Sequence, residues 1–254
     1  MYRFLHDLLS DKKGGEIFTL FGFWHFFYIA LTLIAIITIM CLLRKMNDTA
    51  REKVIFKLIG LAFGLYIADF FLMPLAYGNI DIEKLPFHGC TAMCVMCYLS
   101  HRVGFLQKYH LSFVMLGFIS NLAYLICPAG VMWYEVHPLS YRVIQTLLFH
   151  SVMTVYGTIS LLTHRGRFDA RTICRDVSVI LGMTFWALVG NYTYSGTADG
   201  YSYIFNWFFV VRDPFNVIPE AISRLLMPAL NVLLFSAVAI LLRWLLRRRE
   251  LVRS

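Results

Sequence analysis

Ionisable and amide side chains set inside apolar sequence are costly to bury, and in a membrane chain they mark where chemistry is done. Here they are His25, Asp69, His88, Cys90, Asn121, His150 and Asn191. The sharpest local feature is Leu85-Pro86-Phe87-His88-Gly89-Cys90. Proline suits the first position of a helix, where its missing N–H would be unsatisfied anyway. The spacing therefore predicts a helix start at Pro86, with Cys90 about one turn in, where the positive end of the macrodipole favours a thiolate. His88, two residues away, does not share a helix face with Cys90. His150 is the better candidate base, and a cysteine with a histidine in reach can act as a nucleophile forming an acyl-thioester. Asp69 would then fix the histidine tautomer, and Asn191 would donate to a developing oxyanion. A buried cysteine also serves simply as a small hydrophobe, and the residues alone leave both readings open.

Cys94 and Cys97 follow Cys90 at i+4 and i+7 and share its helix face. With His88 they suggest a metal, but the spacing is not a set of C-x-x-C pairs, and no metal or other cofactor is expected. Met93 and Met96 read as packing. Glu220 and Arg224, four apart, should pair along a helix. His101, His110 and His164 fall at span ends and read as wet.

These residues need elements to hold them. Of 254 residues, 59% are hydrophobic and 15% charged, against about 25% charged in a soluble domain. The apolar residues fall in blocks about 20 long, the length a helix needs to cross ~30 Å of hydrocarbon. They predict spans at 17–43, 54–77, 85–101, 109–127, 141–163, 175–194 and 223–246. The chain thus reads as one integral membrane domain over 1–254, an all-α polytopic bundle of seven transmembrane helices. A short segment, 1–16, precedes it without a small-residue cleavage site, so the first span reads as uncleaved.

The net charge of +8 does not indicate a nucleic-acid partner, because the basic residues lie in short tracts beside apolar blocks. With the N-terminus outside, 16 of the 23 lysines and arginines fall on the cytoplasmic side, as the positive-inside rule requires. The C-terminus, with Arg247-Arg248-Arg249, is then cytoplasmic. His25, Asp69, His88, Cys90, Asn121, His150 and Asn191 all come within roughly 15 Å of the outer surface at helical rise. The connection 195–219 is aromatic (YSYIFNWFFVV) and too short to span. It is expected to lie at the outer interface, as a belt anchor or as a lid over a lipid cavity.

Phe21-Gly22-Phe23-Trp24-His25, Leu85-Pro86-Phe87-His88-Gly89-Cys90, Phe149-His150 and Asn191-Tyr192 together resemble the YwaF family of bacterial integral membrane proteins. That family is grouped with the eukaryotic transmembrane protein 164 acyltransferase. The resemblance implies a phospholipid acyltransferase of the bacterial cytoplasmic membrane, acting on phospholipid and lysophospholipid. It puts the nucleophile on Cys90 and the catalytic histidine on His150, and matches His88 and His25 to recurring histidines. Gly89 stands where a bulkier apolar residue is common in the family.

The expectation is an acyl chain carried through a Cys90 thioester in the outer half of the bilayer. The rival is a proton-coupled or lipid transporter built on Asp69, His25 and His150, since intramembrane Asp and His serve as proton relays. A seven-span receptor and an assembly factor without chemistry stay open. A retinal photoreceptor does not fit, because the last span has no lysine for a Schiff base.

Overall fold

The computed structural model describes residues 15–78, 82–128, 135–164, 168–198, 201–203, 205–213 and 217–251, with Leu9 and Val131. Most of the expected segment 1–16, and residues 214–216 of the long connection, lie outside the described residues.

Each predicted apolar block forms a helix. The elements are α1 (Phe23–Leu43), α2 (Asp48–Tyr77), α3 (Gly89–Ser100), a single turn α4 (Gly104–Gln107), α5 (His110–Ile126), α6 (Tyr141–His164), α7 (Ala170–Tyr194) and α8 (Glu220–Leu251). Local chemistry sets several ends. The Asn47 side chain accepts from the Ala50 N–H at 2.9 Å to start α2, and Asp169 accepts from the Thr172 N–H at 2.7 Å to start α7. Gly78 closes α2 in the left-handed conformation at φ 77°. The expected Glu220–Arg224 pair forms at 2.7 Å on the first turn of α8.

Among the described residues, five helices, α1, α2, α6, α7 and α8, are long and apolar enough to cross a membrane. The other two apolar helices are shorter: α3 has 12 residues and α5 has 17. At 1.5 Å per residue α3 is about 18 Å long. It is held inside the bundle, with Cys94 and Cys97 fully buried among Ile55, Ile59, Met115, Met153 and Tyr156. α5 and α6 form the most extensive helix pair, and α3 packs mainly on α5. The outward faces of α1 and α8 are lined by exposed apolar residues such as Phe23, Ile37, Leu225 and Leu233. A soluble protein does not leave so continuous an apolar surface uncovered.

The connection 195–219 is ordered by hydrogen bonds and packing. It opens as a two-stranded hairpin, β1 (Gly196–Ala198) paired antiparallel with β2 (Tyr201–Tyr203). Its later part then packs into the bundle. Trp207, Phe208, Val210 and Val211 are buried, with Trp207–Phe209 forming a 3-10 turn. Asparagines hold this segment. Asn191 of α7 bonds both the N–H (2.8 Å) and the carbonyl (3.1 Å) of Trp207, and Asn231 of α8 donates to the Phe208 carbonyl at 2.6 Å. Asn206 accepts from the Val211 and Arg212 N–H groups and donates to the Arg212 carbonyl. Phe208 and Phe209 carry φ of 58° and 53°, a conformation that side chains seldom adopt and that this framework enforces.

Candidate functional site

α3 begins at Gly89, with His88 at its N-cap, so the helix starts three residues later than the proline predicts. Cys90 is consequently the second residue of the helix, closer to the free N–H groups of its first turn. Pro86 instead anchors the approach, its carbonyl accepting from Trp186 Nε1 at 2.7 Å. The glycine between His88 and Cys90 has a steric reason. A Cβ at Gly89 would lie 2.7 Å from Ser120 Oγ and 2.8 Å from the Phe208 ring. Gly190 likewise gives its space to Phe87, whose ring stacks on Trp186 and tilts against Trp207.

His150 is buried in α6, and its Nδ1 lies 2.7 Å from the Thr146 carbonyl. A carbonyl only accepts, so Nδ1 carries the proton and Nε2 is the unprotonated nitrogen. Nε2 is shielded from solvent and has no hydrogen-bond partner. The ring stacks on Tyr124 of α5 at 3.9 Å and meets Phe149 edge-on. His88 and Lys84 stand within electrostatic reach of His150, and Lys84 also of Cys90. α3 and α6 do pack together. The expected direct Cys90–His150 hydrogen bond is nevertheless absent, because Nε2 has no partner.

Asp69 does not fix the histidine tautomer; Thr146 does. The buried Asp69 carboxylate instead takes Lys84 Nζ at 2.9 Å on one oxygen and the Tyr141 hydroxyl at 2.8 Å on the other. Tyr66 adds a hydrogen bond to the Lys84 carbonyl at 3.0 Å. Together these tie the turn before α3 to α2 and α6, and so set where His88 and Cys90 stand. Asn191 commits its carbonyl oxygen and one of its two amide N–H donors to the Trp207 backbone, which makes it a tie between α7 and that segment. His25 is likewise engaged on both nitrogens. Nδ1 accepts from the Phe21 N–H at 3.0 Å and Nε2 donates to the Leu125 carbonyl at 2.7 Å, which fastens the start of α1 to the end of α5. Asn121 donates to the Gly117 carbonyl at 2.7 Å within α5.

Of the candidates, His88 lies within electrostatic reach of His150, Lys84 links the surroundings of His150 and Cys90, Asp69 holds Lys84, and His25 and Asn191 serve as structural ties. Lys84, Tyr141, Thr146 and Tyr124 carry no motif in the sequence. Lys84 registers there only as a topology charge. Its pairing could have been suspected from the need of a buried Asp69 for a cation.

Cys94 and Cys97 are buried apolar packing, and no group of three or more histidine, cysteine, aspartate or glutamate ligands suited to a metal occurs among the described residues. His101, His110 and His164 are half-buried. Their rings cluster, 4.5 Å apart for His101–His110 and 6.3 Å for His110–His164, with each Nε2 shielded from solvent. A buried ion pair between α7 and α8 also has no motif: Arg243 binds Asp176 through two nitrogens at 2.9 and 3.0 Å. Comparison with family models, curated proteins and solved structures finds no match, so the YwaF resemblance rests on its sequence motifs.

Proposed function

We propose that this chain is a seven-span lipid acyltransferase of the bacterial cytoplasmic membrane, with its N-terminus outside, its C-terminus cytoplasmic and its reaction in the outer half of the bilayer. What supports seven spans is the pairing of helix ends. His25 with Leu125, Asp69 with Lys84, and Asn191 with Trp207 meet at one end of the bundle. Glu52 with His164, His101 with His110, and Asp176 with Arg243 meet at the other. Alternate traverses between two faces produce this arrangement. α3 tolerates its shortness because protein, not lipid, surrounds it.

The observation that carries the chemistry is the bare, buried Nε2 of His150, locked as an acceptor by Thr146, with Lys84 in electrostatic reach of both it and Cys90. In this reading the Cys90 thiol transfers its proton to His150 Nε2 and attacks the acyl carbonyl of a phospholipid. The C–O ester bond breaks, and the lysophospholipid leaves with that proton. An acceptor hydroxyl, of a lysophospholipid, then attacks the thioester, giving its proton through His150 to the departing sulfur. The mechanism requires Cys90 and His150 to come together when substrate binds, as hydrogen bonds at apo sites often tighten with substrate. The test is transfer of a labelled acyl chain from phospholipid to lysophospholipid by the purified chain in vesicles. Transfer by the wild type and none by Cys90→Ala is the expected result; undiminished turnover by Cys90→Ala ends the mechanism.

A transporter is the second reading, favoured by the buried Asp69–Lys84 pair, because intramembrane ion pairs line substrate and ion pathways. Flux that survives Cys90→Ala and fails with Asp69→Asn would select it.

A further inference from the structure

At the start of α8 two cations meet on one oxygen. Arg224 Nη2 lies 2.7 Å, and Arg212 Nη2 3.4 Å, from the same Glu220 Oε1. Two guanidiniums against one carboxylate leave a surplus positive charge, and all three side chains are 41–48% exposed. Glu220 and Arg224 pair through helical spacing alone. Arg212 is delivered to them by a framework of its own. Asn206 accepts from the Val211 and Arg212 N–H groups at 3.1 and 3.0 Å and donates to the Arg212 carbonyl at 2.7 Å. The next residue, Asp213, donates its N–H to Ser223 Oγ at 2.7 Å, and its carboxylate accepts from the Val217 and Ile218 N–H groups at 2.7 and 2.9 Å. Asp213 and Ser223 are both buried. The backbone beneath Arg212 is thus riveted to the first turn of α8, next to Arg224. An exposed ion pair is worth only about 0–1 kcal/mol, so a second arginine on a carboxylate already paired adds little stability.

We propose that Arg212 and Arg224 bind the phosphodiester headgroup of a membrane phospholipid. A guanidinium presents five N–H donors in a planar fork that matches phosphate oxygens, and each of these two meets Glu220 through a single nitrogen. A phosphodiester carries one negative charge, which neutralises the surplus of the Arg212–Glu220–Arg224 group. No bond is made or broken.

The surroundings favour a lipid over a free anion. Val217 and Leu225, which flank Glu220 and Arg224 in the chain, are 79% and 81% exposed, the highest values among the large apolar side chains described. α8 continues through exposed Leu226, Leu230 and Leu233. Cations set beside uncovered apolar side chains belong at the boundary between headgroups and hydrocarbon. The segment bearing Arg212 is also tied through Trp207 to Asn191 near the end of α7, which places the fork at that end of the bundle.

Binding here asks nothing of Cys90, so this inference and acyl transfer can fail separately. The purified full chain in neutral detergent is titrated with phosphatidylglycerol, with the diacylglycerol of the same acyl chains, and with inorganic phosphate, and bound ligand is counted by native mass spectrometry. Phosphatidylglycerol should bind at least roughly tenfold more tightly than either of the others, since only it offers both the charge and the chains. Arg212→Gln and Arg224→Gln should each weaken it about tenfold, the worth of a hydrogen bond to a charged group. Glu220→Gln breaks the ion pairs but keeps both cations, and should bind at least as tightly as the wild type. Equal loss in all three variants would make the group a structural ion pair and overturn the proposal, as would wild-type affinity in both arginine variants. Diacylglycerol binding as well as phosphatidylglycerol would remove the phosphate from the account, and inorganic phosphate doing so would remove the lipid; either result overturns it.

Discussion

At the scale of the residue, the protein distinguishes histidines by what occupies their second nitrogen. His25 is bonded on both sides and holds α1 to α5; His150 is bonded on one and keeps the other bare. Only the second arrangement leaves a nitrogen free to accept a proton. His150→Gln should therefore lower acyl transfer by roughly 10²–10⁴-fold, the usual worth of a positioned general base, while the protein still folds and reconstitutes. Equal loss in His25→Gln without unfolding would contradict the assignment. The sequence shows both histidines at similar depth and cannot separate them, because tautomer and partner depend on which carbonyl a neighbouring turn presents. Asp69 and Asn191 follow the same logic. Their type and depth are readable, but Lys84, Tyr141 and the Trp207 backbone, which claim them, come from distant chain.

At the scale of the element, the decisive piece is the segment 205–213. Its composition reads as interfacial, since tryptophan and phenylalanine in a stretch too short to span favour the headgroup region. What turns it inward is a set of asparagines that satisfy its backbone as it enters the core, so that Phe208 can lie against Gly89 at the start of α3. An amide side chain that pairs with backbone leaves no hydropathy signature, which is why this was not legible. Asn191→Ala strips partners from the buried N–H and carbonyl of Trp207. At 1–3 kcal/mol for each unsatisfied group, it should destabilise the protein by about 2–4 kcal/mol, seen as a lowered Tm in detergent. A variant as stable as wild type would show that the segment is held by packing alone. By contrast, the helices themselves were plain from apolar block length. The ends moved where caps such as Asn47 and Asp169 extended α2 and α7 beyond the apolar run.

At the scale of the whole molecule, polar contacts toward the helix ends tie the bundle together. The apolar surface outside them is suited to lipid. With the proposed orientation, Glu135 faces outward and Lys108 faces the cytoplasm, and both are exposed. In a cysteine-free background, Glu135→Cys should react with a membrane-impermeant maleimide in intact cells, and Lys108→Cys only after permeabilisation. The opposite pattern would invert the topology and move the site to the inner leaflet. Charge bias is what argues for this orientation in the sequence, whereas the Arg243–Asp176 pair has no signal there, since Arg243 counts only as one of many basic residues. The central claim is that Cys90 is a nucleophile toward lipid esters. Its most direct test is mass spectrometry of the purified chain after incubation with phospholipid, with and without hydroxylamine. A hydroxylamine-labile acyl group on Cys90, accumulating when no acceptor is supplied, is the predicted result; an unmodified Cys90 in a preparation that still moves acyl chains would contradict it.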